Sequence, residues 1–151
     1  MDARWATDIS VIKHRCRDAI IQGGINDINQ GRTLAQMRSS VQSMTAKAQA
    51  DGFQGIKYLN VTPNAYCSAN TANETLRVQY NAWLAATYGA AVCDISSVVI
   101  DTGTGKSLSS AAFGDGTHYT GPAKTAVAAK IKNTLDWGWI KRPGKYVRVQ
   151  A

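Results

Sequence analysis

Short apolar segments alternate with amphipathic helical segments along the chain, and this alternation constrains the fold more than any other feature. Three apolar segments have the length of buried strands, namely residues 19–22 (AIIQ), 56–61 (IKYLNV) and 90–96 (AAVCDIS). Two glycines follow the first segment and Thr-Pro follows the second, which are typical strand ends. Strands that alternate with helices predict an α/β protein with a parallel sheet.

Two helices are predicted in the first third of the chain. An apolar stripe indicates a short helix, which ends at the basic segment of residues 13–17. A longer helix is expected from about Thr33 to Ala50, and Gly52, just past its end, is the expected C-cap. The residues predicted to face inward are Trp5, Ile9 and Ile12 in the first helix, and Leu34, Met37, Val41, Met44 and Ala48 in the second.

Two further helices follow the second and third strands. A capping box formed by Thr71 and Glu74 begins one of them, and Gly89 is expected to stop it. Thr120 is expected to cap the last helix, and Pro122 is compatible with its first turn. The predicted inward faces consist of Leu76, Tyr80, Trp83 and Leu84, and of Val127, Ile131 and Leu135.

Length and composition favour one compact core. The chain has 151 residues, of which 44% are hydrophobic and 18% are charged, as in ordinary globular proteins. No apolar run approaches the roughly 18 residues of a membrane span, and residues 1–10 lack a signal-peptide pattern. We therefore expect a soluble chain, with an extracellular or virion-associated location left open. The net charge is +7, but the basic residues fall in two modest groups and form no known nucleic-acid-binding motif. Nucleic-acid binding is therefore not expected.

The three cysteines show no metal-site spacing, so neither a metal site nor a disulfide framework is predicted. Buried thiols are the expectation for Cys16, Cys67 and Cys93. A bridge between Cys67 and Cys93 stays open if the protein is exported.

Two polar clusters are predicted at the carboxyl edge of the sheet, where ligands bind in parallel α/β proteins. Asn26 and Asp27 follow the first strand in the stretch IIQGGINDIN, and Asp115 and His118 precede the last helix in FGDGTHYTGPAK. A carboxylate three residues from an imidazole can orient it as one arm of a hydrolytic triad. The alternative is a loop whose Asp and His only satisfy backbone groups.

The two clusters together resemble the SGNH, or GDSL, hydrolases. Residues 24–27 match the Gly-x-Asn-Asp block of that family, and residues 115–118 match its Asp-x-x-His block. The resemblance implies a three-layer α/β/α flavodoxin-like fold, a cofactor-free ester hydrolase, and an acetylated glycan or similar ester as substrate. By resemblance, Asn26 belongs to the oxyanion hole, Gly24 and Asp27 support its loop, His118 is the general base, and Asp115 fixes the His118 tautomer.

The family's Gly-Asp-Ser block, which carries its nucleophile, has no counterpart in this chain. No serine lies in Gly-Asp-Ser or in Gly-x-Ser-x-Gly. By resemblance, the strand that carries this block lies beside residues 19–22, so the domain is expected to be incomplete at its N-terminal side and to have an open strand edge there. An upstream segment, a second chain or self-association is the expected partner of that edge.

The predicted domain organisation is an SGNH-hydrolase-like domain at residues 1–136 and a Trp-rich basic tail at residues 137–151, which includes a final strand at residues 146–149. The favoured function is ester hydrolysis by serine-type acyl transfer, incomplete in this chain. The alternative is a non-catalytic binding or assembly module built on a degenerate hydrolase domain.

Overall fold

The computed structural model describes residues 5–64, 67, 70–100, 103–104 and 118–134, together with the backbones of two strands near the C-terminus. Helices and strands alternate, as the sequence predicts. In chain order the elements are α1 (Trp5–Asp8), a 3-10 helix (Ser10–Arg15), β1 (Asp18–Gln22), α2 (Ile25–Asn29), α3 (Leu34–Ala50), β2 (Gly55–Leu59), α4 (Thr71–Tyr88), a 3-10 helix (Gly89–Ala91), β3 (Val92–Cys93), a 3-10 helix (Ser96–Val98), α5 (Gly121–Thr134), β4 (Trp139–Arg142) and β5 (Lys145–Arg148).

The first three strands form a parallel sheet in the order β1-β2-β3. Ile21 is paired with Tyr58, and Tyr58 with Val92, so the carboxyl ends of the strands meet at one edge. Among the described strands β1 pairs only with β2, which places it at the border of the sheet as expected. The fold is therefore α/β with a parallel sheet.

The sheet separates two layers of helices because consecutive strand residues point to opposite faces. Tyr58 packs with α3 and α4 in one core cluster, whereas Leu59 packs with α5 in the other. The predicted inward faces of α3 and α5 are confirmed at Met37, Val41, Met44, Ala48 and Val127, which are buried. Leu135 lies outside the described residues.

The third strand is shorter than predicted. Residues 90–96 are expected to be extended, but only Val92 and Cys93 form β3, and 3-10 turns flank it. Beyond Cys93 the backbone N–H groups bind side chains instead of a neighbouring strand: that of Ile95 donates to Asn60 Oδ1 at 2.9 Å, and that of Ser96 donates to Asp94 Oδ1 at 3.0 Å.

The start of α3 agrees with the predicted helix boundary, whereas the predicted cap of the following helix is wrong. Thr33 and Gln36 form a reciprocal capping box at the start of α3. The predicted box of Thr71 and Glu74 is wrong, because Asn70 is the N-cap of α4 and its side chain accepts hydrogen bonds from the next turn. Glu74 instead binds the guanidinium of Arg77, at 2.6 and 2.8 Å. Asn is as good a cap as Thr, so local sequence could not decide between them.

The N-terminal segment departs from the predicted single helix. The α-helical turn at Trp5 changes to a 3-10 helix after Asp8, which ends the 3.6-residue period. Trp5 is buried as expected, but Ile12 is 40% exposed, so its inward placement is wrong.

The cysteines are unbridged. Cys67 lies in the core on the α3 and α4 side of the sheet, and Cys93 lies in the core on the α5 side, so the open possibility of a bridge between them is not realised. Burial raises the pKa of both thiols. Cys16 is exposed, which corrects the expectation of three buried thiols.

The tail forms a separate two-stranded antiparallel sheet, with Trp139 opposite Arg148. Of the final strand predicted at residues 146–149, residues 146–148 lie in β5, and Val149 lies outside the described residues. Within the part of the chain that the structure describes, none of the helices has the length and apolar character needed to cross a membrane.

The carboxylate of Asp51 anchors the N-terminal segment to the end of α3. It accepts hydrogen bonds from Lys13 Nζ at 2.8 Å, from Ser10 Oγ and from Trp5 Nε1 at 2.9 Å. These donors, the lysine first, lower the pKa of Asp51 from 3.8 to about 2. Because the folded-state pKa lies below the unfolded value, the contribution to stability is complete above about pH 4 and is lost as the pH falls toward 2.

We therefore expect Asp51→Asn to lower the melting temperature at pH 7 and to flatten its dependence on pH between 4 and 2. Thermal unfolding followed by circular dichroism across this pH range measures both effects. Asp8→Asn, in the same segment, is the matched control for removing one carboxylate. Equal pH profiles for wild-type protein and Asp51→Asn would contradict the anchoring role.

Candidate functional site

The turn after β1 depends on Gly24. This residue has φ +121°, which residues with a side chain rarely adopt, and it lies against the segment after β2 and against two helices. A Cβ atom added there would lie 2.7 Å from Val61 Cγ2, 3.3 Å from Met37 Cε and 3.3 Å from Tyr80 Cε1. Glycine is therefore required both for the backbone conformation and for the close packing.

The short helix α2 follows this turn and carries Asn26 and Asp27. Ile28, which is 1% exposed, fixes α2 to the core. The Asp27 carboxylate lies 3.3 Å from Arg32 Nε, and its carbonyl accepts a hydrogen bond from the Arg32 N–H at 2.9 Å. These contacts close the turn after α2. Asn26 remains exposed.

Asn26 lines a cavity of about 990 Å³ at the carboxyl edge of the sheet. The second polar cluster reaches the same cavity through His118, and Lys124 from α5 also lines it. Its polar walls further include Asn60, Thr62 and Asn64, which follow β2.

The loop before α5 is tied to the end of β2. The hydroxyls of Tyr119 and Thr62 are 3.0 Å apart and share a hydrogen bond. Burial raises the pKa of Tyr119, while the bond to Thr62 acts in the opposite direction. Because Tyr119 is adjacent to the exposed His118, its contact with Thr62 brings the imidazole to the cavity.

The end of β2 is joined to the residues after β3 by Asn60. Its Nδ2 donates to Asp94 Oδ1 at 2.6 Å and to Ser96 Oγ at 3.0 Å, and its Oδ1 accepts from the Ile95 N–H. Every polar group of this side chain is therefore used within the protein. Asn60 holds the sheet edge together and keeps no donor for a ligand.

The next peptide group, that of Val61, is held by α4. Its N–H donates to Asn81 Oδ1 at 2.9 Å, and its carbonyl accepts from Asn81 Nδ2 at 2.8 Å and from Arg77 Nη1 at 3.0 Å. Arg77 is only 7% exposed and is also paired with Glu74. The sequence interpretation missed these residues. The one local signal was the density of polar residues after the second strand.

Four of the predicted site residues lie around the same cavity. Asn26 and His118 line one cavity, with Gly24 and Asp27 in its wall. Asp115 lies outside the described residues. The catalytic roles of these residues stay predictions.

Comparison with known proteins gives a consistent fold. No family model and no curated protein matches the chain. Among solved structures, a protein from Desulfitobacterium hafniense assigned to the G-D-S-L lipolytic family is 13% identical, with a TM-score of 0.73 over 89% of this chain and 73% of that one.

Two other solved structures are similar. A protein from Bacteroides fragilis assigned as an acylhydrolase is 20% identical, with a TM-score of 0.69 over 87% of this chain and 66% of that one. A carbohydrate esterase of family 3 from Talaromyces cellulolyticus is 15% identical, with a TM-score of 0.60 over 88% of this chain and 65% of that one.

The chain thus has the flavodoxin-like α/β fold of the SGNH hydrolases and spans 65% to 73% of the length of these three structures. The family resemblance found in the two sequence motifs agrees with this fold.

Gly24 provides a direct test of how the turn is built. We expect Gly24→Ala to cost roughly 2–6 kcal/mol of unfolding free energy, from backbone strain together with overpacking against Val61. Gly31→Ala is the matched control, since Gly31 also has a positive φ but an added Cβ would meet nothing within 4 Å. It should lose only about 1–2 kcal/mol. Urea unfolding measures both values, and equal losses would contradict the packing role of Gly24.

Proposed function

We propose that this chain forms part of an ester hydrolase of the SGNH type that works by serine-type acyl transfer. The observation that carries the proposal is that Asn26 and His118 line one cavity at the carboxyl edge of a parallel sheet with this fold. Asn26 and His118, one residue from each of two motifs about 90 residues apart in sequence, thus lie where α/β proteins bind ligands.

The proposed chemistry divides the roles among these residues. His118 accepts the proton of an attacking serine hydroxyl and then donates it to the departing alcohol, with Asp115 orienting the imidazole. The Asn26 amide donates a hydrogen bond to the carbonyl oxygen as negative charge develops on it. Water then attacks the acyl-enzyme. His118 takes a proton from this water and returns it to the serine oxygen as the carboxylic acid leaves.

The serine is proposed to come from a strand that pairs with β1. Among the described strands β1 pairs only with β2, and Ile20 on β1 is 45% exposed. Ile20 points to the face on which α5 covers β3, but no described helix covers β1 there. A Gly-Asp-Ser strand paired with β1 would end beside Gly24 and Asn26, since parallel strands end at the same edge.

The proposed substrate is an acetylated glycan or a similar ester of a polar alcohol. The cavity wall is rich in amide and hydroxyl groups, and such groups orient a polar ligand by hydrogen bonds. One of the similar structures is a carbohydrate esterase.

Activity of the protein completed by a Ser-bearing strand tests the roles of His118 and Asn26. We expect His118→Ala to lower kcat for a chromogenic acetyl ester roughly 100- to 10,000-fold, and Asn26→Ala roughly 100- to 1,000-fold. His14→Ala is the matched control, because His14 is exposed on the N-terminal 3-10 helix and does not line the cavity. Full activity of His118→Ala would refute the mechanism.

The pairing at β1 is tested by placing a charge on its exposed face. Ile20→Arg should leave the stability of this chain almost unchanged but lower the ester hydrolysis of the completed protein at least about tenfold, because the charge would be buried there. Val78→Arg is the matched control, since Val78 on α4 is a β-branched apolar residue that is similarly exposed (50%). If both variants behaved alike, β1 would not be the joining edge.

A binding or assembly module is the second candidate function, and the absence of a Gly-Asp-Ser nucleophile from this chain favours it. In that case the chain alone would oligomerise or bind an acetylated glycan without cleaving it. Deleting residues 137–151, which include the β4 and β5 strands, would abolish that binding or assembly.

A further inference from the structure

Asn64 has a buried side chain of which only the carbonyl oxygen is hydrogen-bonded among the described residues. It is 1% exposed, and its Oδ1 accepts a hydrogen bond from the Cys67 N–H at 2.9 Å. This bond fixes the orientation of the amide, because the opposite rotamer would place an N–H donor against another donor. Within the described structure, Asn64 Nδ2 has no hydrogen-bond partner.

A buried donor without a partner is unfavourable, so folded proteins rarely retain one without a reason. Asn64 lines the same cavity as Asn26 and His118. Arg38 Nε is likewise buried and unpartnered, but Arg38 stacks on Trp83 and does not line the cavity. The nearby Asn60 also lines the cavity, yet all of its polar groups are used within the protein. Asn64 thus differs from both, because it lines the cavity and its Nδ2 has no partner among the described residues.

The backbone around Asn64 is held firmly before any ligand arrives. Residues 60–64 are all buried, and the Val61 peptide is fixed by Arg77 and Asn81. The backbone therefore needs little reorganisation when the Asn64 side chain turns Nδ2 toward an acceptor, and a ligand without an acceptor would leave this donor unpaired.

We infer that Asn64 is a specificity-determining residue that donates a hydrogen bond from Nδ2 to an oxygen in the alcohol part of the substrate. The inference rests on the proposed ester hydrolysis. An acetyl ester has one carbonyl oxygen, which is assigned to Asn26, and one bridging oxygen, which receives the proton from His118. We assign the Asn64 donor to an oxygen of the alcohol, so Asn64 selects alcohols that carry additional hydroxyl or ether oxygens, as sugars do.

Calorimetric binding to this chain tests the inference without requiring turnover. The probes are an O-acetylated methyl xyloside and cyclohexyl acetate, whose alcohol has a ring of similar size but no further oxygen. We expect the wild-type chain to bind the xyloside roughly 10- to 100-fold more tightly than cyclohexyl acetate. Equal affinities, or binding of neither probe, would overturn the inference.

Asn64→Asp extends the test on the protein side. It keeps an oxygen acceptor for the Cys67 N–H but removes the donor, so the preference for the xyloside should fall to less than about threefold. Asn29→Asp is the matched control, because Asn29 ends α2 and is exposed outside the cavity wall; it should keep the preference. If Asn64→Asp did not fold, the wild-type comparison of the two probes would still decide.

The failure of this inference is distinguishable from failure of the proposed function. Hydrolysis of acetyl esters by the completed protein without a preference for the xyloside would leave the esterase function standing and remove the role of Asn64. A preference for the xyloside that depends on Asn64, without hydrolysis, would keep the role of Asn64 in a binding module.

Discussion

The Val61 peptide group is the point on which the rest of the site depends. Its N–H and carbonyl are both bound by Asn81, and Arg77 binds the carbonyl as well, so α4 fixes the chain where it leaves β2. The Val61 side chain meets Gly24, which shapes the turn that presents Asn26. Asn60, the residue before Val61, binds the chain after β3. The neighbouring Thr62 holds the loop of His118 through Tyr119.

This arrangement explains how separate loops hold side chains in a common geometry. Catalysis by a general base and an oxyanion donor requires both groups to be positioned before the substrate arrives, because reorganisation would raise the barrier. Polar contacts around residues 60–62 provide that rigidity where loops alone would be mobile. The buried Asn64 belongs to the same segment and lies in the cavity wall.

The sequence predicted the parts that depend on local pattern. Periodicity located α3 and its buried residues Met37, Val41 and Met44, and two short motifs located Asn26 and His118. What it missed depends on contacts between distant residues. The bond between Val61 and Asn81 joins positions 20 apart, and the shortening of β3 follows from the Asn60 side chain 35 positions from Ile95. No local period encodes such contacts, and asparagines after a strand are as typical of an ordinary loop.

The proposed function requires that the cavity lined by Asn26 and His118 be one part of an acyl-transfer site that a Ser-bearing strand completes at β1. Labelling of the completed protein with a fluorophosphonate, followed by peptide mapping, tests it most directly, because this reagent reacts with a serine that a general base activates. The prediction is one labelled serine in the strand that pairs with β1, with labelling abolished by His118→Ala. A label on a serine of this chain, or labelling that persists in His118→Ala, would contradict the claim.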